Sequence, residues 1–538
     1  MAATGTSASE LTHKPAANRS VQRVHRNRGA WRILPLSATV LSAFLGTRSF
    51  AERVQLDIAV SSEVTATNNS LLSAEVPESD VIVSVKPRFL LLAEGARLRL
   101  TGAGSFNMLG YVNKTQKSGV LPDFEINATG IAIERVLNIE AGARVSQVFD
   151  NPFGLRADPG TTTENKITTT QYRLSPVVDM QSGNGLRFTA RSDNILLDDD
   201  SENASTSGPT ATGYFGHHNV VFEQTPRPLG WRAELDRTDT RYENAQSALV
   251  SDVARLGINR AFDGTLSLGF HLGAERNNFV TGDNTSEVYG IDLNWKPTER
   301  TNLDMFVEHR YFGTGGRIVF DHRMPWLAWN ALISRGIVTT PQTLFSLGPT
   351  DDVAGLLNQI YTTRFPDPIE RSRQVQEIIA RAGLPSSLTQ TMTVYSQRIS
   401  LESVASFRVA YIGTRNSLAL SASWTRLEDA PDTGALATGL AINNNTQRFV
   451  ALTGSRRLTP QVTASLSLGW NTIKSLLTAS SDQATTERSL EARVGVNLAP
   501  RTTGYFGARY REFVQDNSST PSTNNNETAA FVGIDHRF

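Results

Sequence analysis

Two stretches decide the fold: Thr265–Leu272, TLSLGFHL, and Val462–Trp470, VTASLSLGW. In the first, Leu266, Leu268, Phe270 and Leu272 fall on one face and Thr265, Ser267, Gly269 and His271 on the other. In the second, Val462, Ala464, Leu466, Leu468 and Trp470 alternate with Thr463, Ser465, Ser467 and Gly469. A third run sets Ile399, Leu401, Ala405, Phe407, Val409 and Tyr411 against Arg398, Ser400, Glu402 and Arg408. Side chains alternate this way on strands, not on helices. The same period runs from Val54 onward.

Alternation alone fits a soluble sandwich as well as a barrel, and three features separate them. The polar phase carries full charges: Arg97 and Arg99, Glu140 and Arg144, Arg232, Glu234 and Asp236, Asp304, Glu308 and Arg310, Glu491 and Arg493. The segments last about 10 residues, the length a tilted strand needs to cross an outer membrane. The connections alternate between short and long, as bacterial barrels do with tight periplasmic turns and longer outer loops. Short turns fall near Glu94-Gly95, Val136-Leu137, Gly183-Asn184, Pro226 to Pro228, Asp263-Gly264, Lys296 to Glu299, Met324-Pro325, Gly413 to Arg415, Leu458 to Pro460 and Ala499-Pro500. Outer connections include 193–213, 428–445, 475–487, 514–528 and the brief Gly313 to Gly316. Ten short turns separating eleven hairpins give an all-β, antiparallel outer-membrane β-barrel of about 22 strands, within roughly 18 to 24. It must close, because an open edge in lipid leaves backbone groups unpaired.

Composition agrees. The 538 residues hold 52 basic and 52 acidic side chains, eight His and no Cys, with 39% hydrophobics and a mean hydropathy of −0.25. No apolar run reaches the ~18 residues of a spanning helix. The balanced charge offers no basic stripe for nucleic acid. The lack of Cys removes disulfides, thiolate metal sites and Cys nucleophiles, and suits a chain crossing an oxidising periplasm unfolded.

The N-terminus gives an address. Lys14, Arg19, Arg23, Arg26, Arg28 and Arg32 precede the apolar Ile33–Gly46, and Ser49-Phe50-Ala51 supplies small residues at a cleavage site. This is the order of a secretory signal peptide over 1–51, ahead of a barrel over 52–538. The basic part is long for a signal, and Val21 and Val24 are alternative starts. The remaining chain carries 45 basic and 51 acidic groups. At the other end Ala530, Val532, Ile534, His536 and Phe538 share a face ending in a terminal Phe. Such an ending is an assembly signal for barrel-assembly machinery, with His536 a mild departure from it.

One island is helical, within 340–392. Val353, Leu356, Leu357 and Ile360 recur at helical spacing, as do Val375, Ile378, Ile379 and Ala382. Asp367 and Pro368 read as the start of the second helix, Gly383 and Pro385 as its end. Parity places this hairpin in a long outer loop, either as decoration or as a lid folded over the pore.

Four runs carry a resemblance: LNWKPTERTNLDMFVEHRYFG (Leu293–Gly313), FDHRMPWLAWNALISR (Phe320–Arg335), FPDPIERSRQVQEIIARAGLP (Phe365–Pro385) and GTRNSLALSASWTR (Gly413–Arg426). They resemble the outer-membrane proteins associated with the PEP-CTERM/exosortase system, whose genes tend to sit in exopolysaccharide clusters of Gram-negative bacteria. The resemblance is clearest over 285–427 and weaker over Ser79–Leu100 and the last strand. It implies a setting in the outer membrane beside exopolysaccharide and its export proteins. It carries no catalytic residues.

No constellation points to catalysis, a cofactor or a metal. Asp198 to Asp200 with Glu202 lacks the Gly and spaced ligands of a calcium loop and reads as a solvated outer segment, in reach of lipopolysaccharide. His217 and His218 are adjacent, so on a strand they face apart and cannot share a zinc. No G-x-S-x-G elbow occurs, and Gly102-Ala103-Gly104 lies in a strand pattern, not before a helix. The charged polar phase is the better candidate. Arg97, Arg99, Glu140, Arg144, Arg232, Asp304, Glu308, Arg310, Arg398, Glu402, Arg408, Glu491 and Arg493 should line the lumen, either bracing it or contacting a hydrophilic polymer. Trp295, Trp329, Trp424 and Trp470 read as interfacial girdle residues. Four functions follow: a pore assisting exopolysaccharide export, a display barrel binding secreted polymer or sorted proteins, a general porin, and an outer-membrane hydrolase. A TonB-dependent transporter would match the strand count but needs an N-terminal plug, for which few residues lie before the first strand.

Overall fold

A computed structural model of the chain describes residues 53–538 except 74, 150, 152, 155–165, 200–211, 243–247, 282–283, 340–352, 383, 385–387, 389–398, 432–443, 477–482 and 518–519. The expected signal and its cleavage site lie outside the described residues, as do Arg398, Gly383 and Pro385.

Twenty-two strands follow one another around a single sheet. The first eleven are β1 Arg53–Thr67, β2 Asp80–Glu94, β3 Leu98–Tyr111, β4 Gly119–Ile133, β5 Leu137–Phe149, β6 Lys166–Gln181, β7 Leu186–Asp199, β8 Gly213–Gln224, β9 Leu229–Tyr242, β10 Leu249–Ala261 and β11 Leu266–Asn277. The rest are β12 Thr285–Thr298, β13 Thr301–Arg310, β14 Gly313–Arg323, β15 Leu327–Val338, β16 Ser400–Ile412, β17 Asn416–Asp429, β18 Asn445–Arg457, β19 Val462–Ser475, β20 Ala484–Ala499, β21 Thr502–Asn517 and β22 Thr520–Arg537. Each is antiparallel to the next. β22 returns to β1, from Ala59↔Arg537 to Thr67↔Ala529, and closes the barrel. Closure leaves no unpaired ladder facing lipid.

One phase of every ladder is apolar and turned outward. Leu256 and Ile258 of β10 pair with Leu272 and Phe270 of β11, which pair with Tyr289 and Ile291 of β12. These side chains are exposed, Leu256 by 70%. A protein of this size buries such a surface in lipid, so the chain is an outer-membrane barrel. Trp295, Trp329, Trp424 and Trp470 all stand on this outward phase. Where Gly104 of β3 faces out, the rings of Phe89 and Phe124 close over it, and a Cβ there would meet the Phe124 Cβ at 2.5 Å. Register sets the cost of a charge on this face. Leu468→Arg should destabilise the barrel by roughly 2–4 kcal/mol, whereas Ser467→Arg, one residue away on the lumenal phase, should cost far less. Denaturant unfolding in lipid vesicles reads the difference, and equal losses would mean the register is wrong.

The ten short connections share one end with Arg53 and Phe538, which is the periplasmic end. A representative one is Phe262–Thr265. Asp263 there accepts from the Thr265 hydroxyl at 2.8 Å and from the amides of Thr265 and Leu266 at 2.8 and 2.9 Å. The Thr265 hydroxyl and then these amides hold its carboxyl below the usual carboxylate range.

The strands are longer than expected, from 10 residues in β13 to 18 in β22. The correction is largest at 514–528, expected as an outer loop. β21 runs to Asn517 and β22 starts at Thr520, leaving 518–519 as the whole connection. Likewise β7 reaches Asp199 within the expected loop 193–213, and β20 starts at Ala484 within 475–487. The physical reason is common to all three. Towards the outer end the outward face no longer needs apolar side chains, so Thr523–Thr528 is polar in both phases, its inward Asn525 and Glu527 buried against the lumen wall, and the period-2 signal vanishes.

Candidate functional site

The lumen has two unlike walls. Along β5 to β13 it is lined by a nearly continuous run of ion pairs. Glu140 meets Arg191 at 2.7 Å, and Arg191 meets Asp193 at 2.8 Å. Asp193 accepts from Ser175 at 2.6 Å and lies 3.8 Å from His217, which contacts Asp236 at 2.7 Å. Further round, Arg255 lies 3.7 Å from Glu234 and 2.8 Å from Glu308. His271 sits between Asp292 at 2.9 Å and Glu308 at 3.5 Å, and Arg310 meets Glu275 at 3.0 Å. Opposite charges alternate, so this wall is strongly polar with little net field.

The facing wall, β17 to β19, presents hydroxyls. Ser421, Ser423 and Thr425, Thr453 and Ser455, and Ser465 and Ser467 occupy the inward phase, with Thr453 and Ser467 3.0 Å apart. Small hydroxyls make a wettable surface with few long side chains projecting from it.

The strand registers put eleven of the twelve described candidate residues on the phase opposite the apolar face, and the twelfth, Arg97, lies in the turn before β3. Arg97 pairs with Glu134 at 3.2 Å and Arg99 with Glu94 at 3.9 Å, both at the periplasmic end. Arg232 pairs with Glu234, and Asp304 accepts from Asn294 at 3.1 Å. Glu140, Glu308 and Arg310 belong to the ion-paired wall. Arg144 stands across the ladder from Glu125, Arg408 across from Asn330 and Ser421, and Glu402 across from Gly336 and Leu427. Glu491 stands across from Ser467 and Arg509, and Arg493 lies over the Tyr505 ring at 3.6 Å. His217 and His218 do part, His217 to Asp236 and His218 to Ser192 on the outer face. Sequence reasoning missed Asp193, because 193–213 reads as loop. It also passed over Arg191, Arg255, Glu275 and Asp292, although their period-2 phase marks them.

The helical hairpin needs a correction of place. Its helices, α1 Val353–Tyr361 and α2 Pro368–Ala382, form where their spacing predicts. The Asp367 carbonyl accepts from the Arg371 amide at 2.9 Å, in keeping with an N-cap before Pro368. The hairpin hangs from the outer ends of β15 and β16, yet it does not lie over the outer mouth. Leu356, Leu357, Ile360, Val375 and Ile379 pack with Ala328, Ala410 and Ala419, which are inward-facing residues at the periplasmic ends of β15, β16 and β17. All three alanines are fully buried. Arg323, at the periplasmic end of β14, donates to the Gln359 carbonyl at 3.2 Å. From the far side Arg53 of β1 meets Asp367 at 3.0 Å. The hairpin therefore bridges the periplasmic mouth from the inside. Its apolar stripes settle on the alanine patch, a small-residue surface among polar walls. Parity can locate where a loop leaves the barrel but not where its tip comes to rest.

α2 is braced along its polar side, with Arg373 reaching Glu377 at 3.0 Å and Glu370 one turn earlier. The Arg373 guanidinium beside Glu370 holds that carboxyl below its usual range. At the outer mouth a second segment crosses. Phe153, after β5, is buried against Ile473 of β19, and its carbonyl accepts from Gln515 of β21 at 3.3 Å.

No family model matches the chain, and no curated relative matches it. Among solved structures, it is similar to the FrpB iron transporter of Neisseria meningitidis (F5-1 variant), at 8% identity and a TM-score of 0.44 over 91% of this chain and 83% of that one. It is also similar to the siderophore receptor PirA of Pseudomonas aeruginosa, at 9% identity and a TM-score of 0.40 over 90% and 81% of the two chains. PirA of Acinetobacter baumannii gives 9% identity and a TM-score of 0.43 over the same shares. Similarity at this level does not extend to cargo.

Proposed function

We propose that the protein is a gated outer-membrane pore for a hydrophilic polymer, and that the polymer is an exopolysaccharide. The observation that carries this reading is the hairpin seated on Ala328, Ala410 and Ala419 at the periplasmic mouth. A barrel of this strand number is wide enough to need a stopper, and this one is built from a covalently tethered segment. The walls support a hydrated chain as cargo: ion pairs on one side and hydroxyls on the other. The resemblance to PEP-CTERM/exosortase-associated proteins supports the exopolysaccharide setting.

Deleting the gene should leave polymer trapped in the periplasm instead of unsynthesised. Fractionation followed by sugar analysis of periplasm and medium measures this. Normal secretion from the deletion strain would sink the export reading and favour a display role.

A further inference from the structure

The periplasmic rim is ringed with arginine. An Arg stands in, or within two residues of, every one of the ten short turns. Five of them, Arg135, Arg227, Arg300, Arg415 and Arg501, lie in the turns themselves, are exposed, and make no ion pair among the described residues. Acidic residues at the same turns, Glu94, Glu134, Glu223, Asp263 and Glu299, are fewer than the arginines. The outer end leans the other way: the β1–β2 connection carries Glu75 and Glu78, Asp198 and Asp199 end β7, and Glu428 and Asp429 end β17, against Lys114 and Lys117 in the β3–β4 connection. Between them the charges of the β5–β13 wall are largely paired with one another. The barrel is thus positive where the periplasm meets it and negative where the exterior does.

This polarity selects a charge. A polyanion in the periplasm is drawn to the rim, which raises its local concentration at the inner mouth. A cation arriving from outside would be drawn to the outer mouth and held back at the inner one. The residue type is also telling. Guanidinium forks match carboxylate, sulfate and phosphate groups better than lysine does. The ring leads to the gate as well. Arg415 and Arg457 line a cleft with Tyr361 of α1 and Ile378 of α2, and Arg457 is aimed by donating to the Thr414 carbonyl at 3.0 Å.

We infer that the periplasmic rim is a capture ring for a polyanion, so that the exported polymer is an acidic polysaccharide bearing carboxylate, sulfate or phosphate groups. This rests on the polymer-pore reading and narrows it to a substrate class. A membrane-facing role fits another arginine, Arg260, which is on the outward phase over Phe262 at 5.1 Å. The five turn arginines project from the connections themselves.

The test uses the full barrel in an uncharged detergent, with polygalacturonate, dextran of matched length and phosphatidylglycerol vesicles as probes. Polygalacturonate should bind, dextran should not, and affinity should fall steeply between low and physiological salt. Changing Arg135, Arg227, Arg300, Arg415 and Arg501 together to Gln should weaken polygalacturonate binding by about tenfold or more, as loss of a multivalent contact does. Heat-modifiable mobility on gels checks that the variant barrel is folded, and single Arg→Gln variants serve if it is not. Equal binding of dextran, binding unaffected by the substitutions, or capture by the vesicles alone would overturn the inference. The pore reading fails separately: it falls if the deletion strain secretes normally, and it survives if a neutral polymer is found trapped.

Discussion

Excising Val353–Ala382 and joining the flanks with a short Gly-Ser linker should turn a nearly closed barrel into an open one. In planar bilayers the conductance should rise by roughly tenfold or more, because a large barrel without its stopper is an aqueous channel. The barrel should still assemble. The excised helices contribute no ladder hydrogen bonds, and connection length costs only about 0.6 kcal/mol per doubling. A milder change should act in the same direction. Leu357 is fully buried against the hairpin's seat, and Leu357→Asp would place a charge there without a partner. Brief openings should then become frequent. Unchanged conductance in the excised protein would reduce the hairpin to decoration and leave the lumen blocked by something else.

Glu308→Ala should be among the most damaging single changes in the wall. The Glu308 side chain is 3% exposed, accepts from Arg255 at 2.8 and 2.9 Å, and has His271 and Arg310 at 3.5 and 3.6 Å. Removing it strands buried positive charge, a loss of roughly 3–5 kcal/mol. Replacing Arg255 and Glu308 together by leucine should recover much of that, since the desolvation of both charges disappears with them. By contrast, Arg97→Ala breaks a pair whose members are 57% and 71% exposed, and should cost at most about 1 kcal/mol. Vesicle-based denaturant curves for these variants measure the series. A Glu308→Ala barrel as stable as Arg97→Ala would mean that water, not Arg255, compensates the carboxylate.

Much of this architecture is legible in the chain because lipid enforces a two-residue rhythm. Leu266, Leu268 and Phe270 have no alternative to facing out, and that fixes where Ser267, Gly269 and His271 face. The hairpin is legible for a similar reason, since Leu356, Leu357 and Ile360 keep helical spacing where the strands have lapsed. The rhythm fails where the outward face no longer needs apolar side chains. Thr520–Thr528 looks like loop, although Thr523–Thr528 pairs residue by residue with β21 and Thr520 pairs with Asn517. The seat of the hairpin is illegible for another reason. Leu357 and Ala419 meet through shape, and no periodicity in either segment announces the other. The same holds for partners within the wall: the phase of Arg191 can be read once its strand is known, but its choice of Glu140 and Asp193 depends on geometry across several strands.

The hairpin is tied at both ends to the outer rims of β15 and β16, and it rests at the opposite mouth. That arrangement makes the stopper part of the wall's own chain. The segment that fills the mouth runs on into two neighbouring staves, so plug and barrel are made in a fixed ratio of one to one, and neither is supplied or lost without the other.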